Sequence, residues 1–267
     1  MIDVLRPRKR ILASLPAAAM PLTGGAAFVL LWEAYCRLFN IRPVLLPPPT
    51  MIGRELLEFP LWFAEQSLYT LGVTLLGFGL ATVLGVLFAV LITEWRVLDR
   101  LLFPLFVALN SVPKVALAPL FIIWFGTGAE PKVAIAFLIA VFAIVIDAAL
   151  GLRSVPTDTL DLARILRGSR LKVLLRIKIF CAMPHIFAGA KVAMSLALVG
   201  AIVGEFVSSQ RGLGYVILTA QGVFDTPRVF AAITLLAVLG VALVGAVSVI
   251  ERIALPWHHS SRPYLEH

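Results

Sequence analysis

Charged side chains are scarce in this chain: Asp, Glu, Lys and Arg make up 14% of its 267 residues, against roughly 25% in ordinary soluble domains. That shortage, beside a 60% hydrophobic content, excludes a soluble domain and identifies an integral membrane protein. Cysteine is nearly absent. Cys36 falls in an apolar window and Cys181 at a cytoplasmic boundary, with no CxxC or Cys/His spacing, so neither a disulfide framework nor a metal site is supported. No GxxxxGK[ST] occurs, so no phosphate-cradling loop would let the chain hydrolyse ATP itself. HExxH, GxSxG and paired histidine clusters are missing too, and no enzymatic chemistry is expected. His258 and His259 are neighbours in a solvated tail.

Long apolar runs are what the chain has. Windows long enough to span fall at 20–39, 68–93, 101–125, 131–150, 185–207 and 229–250, each near the ~20 residues a bilayer requires. About six transmembrane helices in one membrane domain, residues 1–267, are predicted, with no room for a soluble domain beside them. The formal charge of +8 is explained by topology, because Lys and Arg collect on the cytoplasmic side, and it does not call for nucleic acid. Arg6, Arg8, Lys9, Arg10, Arg96, Arg100, the row from Arg153 to Lys178, Arg252 and Arg262 lie on one side; Arg37, Arg42, Arg54, Lys132, Arg211 and Arg228 lie on the other. The imbalance puts both termini inside, with 1–19 an anchor ahead of an uncleaved first helix and 251–267 a cytoplasmic tail.

On the outer side, Pro47, Pro48 and Pro49 impose an extended segment before a short amphipathic helix from Thr50 to Leu57. A second outer segment, with Gly212 and Gly214 among apolar residues, is expected to dip back against the bundle. The window 101–125 is interrupted by Pro104, Pro113 and Pro119, and such breaks survive at membrane depth only where protein or a wet cavity satisfies the freed backbone groups. Asn110 and Lys114 flank the Pro113 break; they are candidates for lining a pathway, with helix-to-helix hydrogen bonding as the alternative. Glu205 is a third pathway candidate, although with Glu33, Asp147 and Lys191 it stands near enough to a span end to snorkel to water. Gly77, Ala81, Gly85 and Ala89, and again Gly200, Gly204 and Ser208, repeat at four-residue spacing, which lets helix backbones approach closely.

One long polar, basic interruption remains, the cytoplasmic loop 151–184. Pro156 suits a helix start, and Asp158 and Asp161 place acidic charge favourably in its first turn. A short helix is predicted from Thr159 to Arg167, with Leu162, Ile165 and Leu166 on one face and Arg164, Arg167 and Arg170 elsewhere. Gly168 and Ser169 break it, and a second basic helix begins at Leu171 and leads toward Met183 and Pro184. Such a knob could seat in a groove on a partner protein or lie on anionic lipid; physics alone leaves both open.

The pattern of this loop resembles the coupling segment of ABC importer permeases, EAA, three residues and Gly. Asp161, Leu162 and Ala163 stand for EAA, Arg164 opens the spacer, and Arg167 occupies the usual Gly position, followed by Gly168 and Ser169; Ile179-Phe180 stands where Leu-Pro is expected. LLPPPTMIGREL, SVPKVALAPLFIIWFGTG, ALGLRSVPTDTLDLAR, MPHIFAGAKVAM and GAIVGEFVSSQRGLGYVI extend the likeness over most of the chain, to the nitrate, sulfonate, taurine and bicarbonate branch, which also includes carriers of pyrimidine vitamin precursors. The resemblance implies a type I ABC importer permease fold in a bacterial inner membrane. It further implies a second permease copy as partner, an external solute-binding protein, and a cytoplasmic ABC ATPase dimer that holds the ATP and Mg, this chain binding no cofactor. Asp161, Leu162, Ala163, Arg164, Arg167, Gly168 and Ser169 would then carry ATPase coupling. The competing reading, a secondary carrier driven by an ion gradient, predicts inverted repeats and buried ionisable relays, and the sequence has neither clearly.

Overall fold

The computed structural model describes residues 19–257; the basic anchor Arg6, Arg8, Lys9 and Arg10, and His258, His259 and Arg262, lie outside the described residues. Eleven α-helices are described: α1 (Ala19–Leu38), α2 (Pro49–Glu58), α3 (Pro60–Glu94), α4 (Arg96–Asn110), α5 (Ala118–Phe125), α6 (Glu130–Arg153), α7 (Thr157–Ile165), α8 (Arg170–Val173), α9 (Ile179–Ser208), α10 (Leu213–Gly222) and α11 (Thr226–Ala254). The described residues form no strand. Among the described residues, four stretches are long and apolar enough to cross a bilayer: α3, α6, the run Arg170–Ser208, and α11.

Helix α6 is the centre of the bundle. Of its most apolar stretch 56% is buried, against 17% in α11, because α3 and α9 enclose it. Small residues make this possible. A Cβ added to Gly77 of α3 would come within 2.5 Å of Ala136 Cβ, and one added to Gly200 of α9 within 2.6 Å of Ala136 Cα. The three backbones meet at Ala136, and the two small-residue stripes legible in the sequence face α6. Ala81, Ala89, Ala140, Ala193 and Ala197 are all fully buried along the same seams. Close approach of this kind gains dispersion contacts where hydrocarbon on the outside gives helices no hydrophobic reason to associate.

Two expectations change. The window 101–125 is not one helix: α4 carries Pro104 inside it and ends at Asn110, a 3₁₀ turn covers Lys114–Leu117, and α5 starts with Pro119 in its first turn. Pro113 can neither donate a helical hydrogen bond nor leave its predecessor helical, so the chain turns there. The second loop helix, expected from Leu171 toward Met183 and Pro184, is continuous with the membrane span that follows it. Helix runs unbroken from Arg170 to Ser208, 39 residues, with Pro184 inside α9 and a π-helical stretch at Leu174–Lys178. The interval between the end of α6 and that helix is therefore 154–169, shorter than the 151–184 loop.

Ion pairs tie the elements at each end. At one end Arg153 reaches Asp99 of α4 at 2.5 Å, Lys178 reaches Glu94 of α3 at 2.5 Å, and Lys191 pairs with Glu251 of α11. At the other, Arg228 of α11 binds Glu55 of α2 at 2.6 Å, and Glu33 of α1 accepts from the Thr50 amide at 3.0 Å and the Thr50 hydroxyl at 2.9 Å. Glu33 and Lys191 are thus held by partners on neighbouring helices.

Candidate functional site

The loop after α6 builds its knob around a single short helix. Pro156 precedes α7 in extended conformation, and Asp158 lies in its first turn. The predicted Thr159–Arg167 helix is shifted two residues toward the N-terminus, to Thr157–Ile165. Its end is a Schellman motif: Gly168 N–H donates to Ala163 O at 2.9 Å, Arg167 N–H donates to Arg164 O at 3.0 Å, and Arg167 sits at φ 53°. That left-handed position is normally a glycine, which explains physically why the related pattern has Gly where this chain has Arg167. Ser169 then opens the long helix, its hydroxyl accepting from the Lys172 amide.

The two faces of α7 differ. Ala163 and Val155 are buried and seat the knob, while Leu162, Ile165 and Leu166 are 57%, 77% and 72% exposed. Asp161 and Arg164 form a solvent-facing ion pair at 2.6 Å, worth at most about 1 kcal/mol. Three large aliphatic side chains thus stand exposed together on a helix that is otherwise capped, paired and anchored.

The break between α4 and α5 packs beside the middle of α6. Lys114 opens the 3₁₀ turn, and its ammonium stands 4.7 Å from the centroid of Phe142, near the middle of α6. Asn110 closes α4; its side chain lies outside what the structure describes. The structure sets half-buried Lys114 against the middle of α6 and does not bring Glu205 near it.

Glu205 instead belongs to a buried knot at the opposite end from the knob, and its expected snorkelling is corrected: it is 1% exposed. Its Oε1 accepts from the Thr70 hydroxyl at 2.8 Å and its Oε2 from the Gly214 amide at 2.7 Å. Thr70 Oγ1 accepts from the Leu213 amide at 2.9 Å, and Gln66 Oε1 accepts from the Gly212 amide at 2.7 Å. The Gly212, Leu213 and Gly214 amides at the start of α10, which helical geometry leaves without partners, are thus captured by side chains of α3 and α9. A carboxylate there also complements the helix dipole. Gly212 has φ 102° and a Cβ on it would strike the Glu205 carboxyl, so only glycine fits. Lys132, expected at the outer surface, is 2% exposed and donates to Thr127 O at 3.1 Å and Gly128 O at 2.5 Å. Gln66, Thr70 and Lys132 were not singled out from the sequence. The available signal was the four-residue spacing of Gln66, Thr70 and Thr74 inside an apolar span.

Comparison with known proteins accounts for this architecture. The family described as the binding-protein-dependent transport system inner membrane component matches residues 81–253. The chain belongs to that family. It is 34% identical over 249 residues to the riboflavin transport system permease protein RibX of Chloroflexus aurantiacus, covering 92% of each chain. It is 32% identical to the formylaminopyrimidine transport permease protein ThiX of Halalkalibacterium halodurans, over 86% of this chain and 92% of that one. The taurine transport system permease protein TauC of Escherichia coli is 29% identical over 87% of each chain. In fold, the permease resembles a chain from inward-facing structures of the MetNI methionine ABC transporter, with a TM-score of 0.65 and 17% identity over 72% of this chain and 96% of that one. The protein is an all-α inner-membrane permease component of an ABC importer with a type I permease fold.

Proposed function

We propose that two copies of this permease enclose a pathway for a small nitrogen-heterocyclic solute of the vitamin or vitamin-precursor class, driven by a separate cytoplasmic ATPase pair docked on α7. The observation that carries the coupling reading is the exposed Leu162, Ile165 and Leu166 triplet on a rigidly capped helix. Asp161 rims that face, Arg164 pairs with Asp161 from the side turned to the bundle, Arg167 ends the helix, Ala163 seats it, and Gly168 and Ser169 join it to the 39-residue helix Arg170–Ser208. Closure of the ATPases on ATP and Mg would push α7, and the helix that begins at Arg170 would carry the displacement to the membrane interior. Both termini then face the cytoplasm, with α7 on that side and α10 outside, where a solute-binding protein delivers substrate. Lys114 and Asn110 remain the pathway candidates, at the helix break. Glu205 is assigned a structural role as the clamp on α10 and leaves that set.

The heterocycle class rests on the riboflavin and formylaminopyrimidine permeases among the relatives. Sulfonate and taurine permeases, at 29% identity, support a small anion as the second reading.

The test replaces Leu162, Ile165 and Leu166 together by serine. Each buried aliphatic side chain is worth about 1.5–3 kcal/mol, so loss of three from an interface weakens ATPase association at least a hundredfold. The variant should insert normally and fail to co-purify with the ATPase. Unchanged association and uptake refute the docking face.

A further inference from the structure

Behind α7, on the side away from the Leu162, Ile165 and Leu166 face, lies a cleft of about 570 Å³ lined by Thr93 and Glu94 of α3, Leu160, Ala163 and Arg164 of α7, Gly168, and Arg170, Val173 and Lys178 of the following helix. We propose that this cleft binds a phosphate-bearing anion, wedged between the coupling helix and the bundle.

Charge, geometry and depth each point to that ligand. Three cations, Arg164, Arg170 and Lys178, face one carboxylate, Glu94, and that carboxylate is already engaged by Lys178 at 2.5 Å. Arg164 in turn pairs with Asp161 at 2.6 Å, so once both pairs are counted the charge of Arg170 is the cleft's positive excess. Two of the three cations are guanidinium groups, whose planar fork matches the oxygens of a phosphate better than an ammonium does. The cleft also sits at the start of the Arg170–Ser208 helix, whose dipole adds to the attraction. The π-helical stretch Leu174–Lys178 adds a residue to the turn just where Lys178 must point at α3, an irregularity of the type that accompanies functional sites.

Depth follows from length. At 1.5 Å per residue the 35-residue α3 is about 52 Å long and outruns the ~30 Å hydrocarbon core, so Thr93 and Glu94 at its end stand among lipid headgroups. Basic pockets between helices at that level suit anionic headgroups. A phosphate held there would brace α7 from behind; that consequence rests on the coupling reading, whereas the binding itself does not.

The experiment uses the full-length permease alone in nanodiscs, so that a failure of ATPase docking leaves it intact. In one arm, phosphatidylglycerol is mixed with phosphatidylcholine, and retained anionic lipid is counted by native mass spectrometry. In the other, inorganic phosphate and pyrophosphate are titrated calorimetrically into phosphatidylcholine discs. Arg170→Gln is compared with Lys172→Gln, which removes the same charge two residues away but does not line the cleft. Retention of phosphatidylglycerol that falls about tenfold in Arg170→Gln, with Lys172→Gln unchanged, supports a headgroup site. Saturable pyrophosphate binding with the same variant pattern, and no lipid preference, supports a free phosphate ligand. Equal losses in the two variants, or no saturable binding in either arm, overturn the proposal.

Discussion

The Thr70 hydroxyl joins two segments 135 residues apart, and its removal offers the sharpest check on how α10 is held. Thr70→Val keeps the side-chain shape and deletes one donor and one acceptor in a fully buried setting. The Leu213 amide, now 2.9 Å from Thr70 Oγ1, would lose its acceptor, a cost of about 1–3 kcal/mol. Glu205 Oε1 would lose a charge-assisted donor, about 1.5–3 kcal/mol more. Gly214 still holds the other carboxylate oxygen at 2.7 Å, so partial relaxation leaves a net loss of about 3–5 kcal/mol concentrated at the start of α10. Because the loss is local, hydrogen exchange at the Leu213 and Gly214 amides should accelerate by two to three orders of magnitude, roughly tenfold per 1.4 kcal/mol. Thr70→Ser keeps the hydroxyl and should exchange close to wild type. A double-mutant cycle with Glu205→Gln should return a coupling of about 0.5–3 kcal/mol. Equal exchange in the valine and serine variants, or strict additivity in the cycle, refutes the clamp.

Two other substitutions probe the knob and the bundle seam. Arg167→Gly should stabilise α7 by about 0.5–1 kcal/mol, because φ 53° costs arginine but not glycine; slower exchange at Gly168 would show it, and faster exchange would deny the Schellman assignment. Gly200→Ala should destabilise the bundle by about 1–3 kcal/mol through overpacking, since the new Cβ meets Ala136 Cα at 2.6 Å, whereas Gly79→Ala enters open space. Thermal unfolding in detergent compares the pair, and equal midpoints would remove Ala136 as the crossing point of α3, α6 and α9.

Much of the fold could be read before the structure. The apolar windows at 68–93, 131–150, 185–207 and 229–250 all lie inside observed helices, and the stripes from Gly77 to Ala89 and from Gly200 to Gly204 face α6 as their spacing implies. The short helices near Thr50 and after Pro156 exist within one or two residues of their predicted starts. The window 101–125 misled because hydropathy measures burial in lipid and is blind to a turn forced by Pro113. Pro184 lies inside α9, where a proline in a membrane helix is tolerated because neighbouring helices re-satisfy the freed backbone groups, and no single-residue rule conveys that.

The sequence alone determined that this is a membrane-embedded helical protein and that its basic loop carries a short helix with one aliphatic face. Those properties follow from solubility and from local periodicity, which are sums over neighbouring residues. Only the tertiary structure decided what the isolated polar residues do. Glu205 looked like a group near water and proved to be a buried cap, because its partners Thr70 and Gly214 are remote from it along the chain or separated from it by a turn. Lys132 likewise left the surface for the Thr127 and Gly128 carbonyls in the turn between α5 and α6. Hydrogen-bond partners are fixed by where helices cross, and the crossings depend on glycines whose effect appears only when two backbones meet.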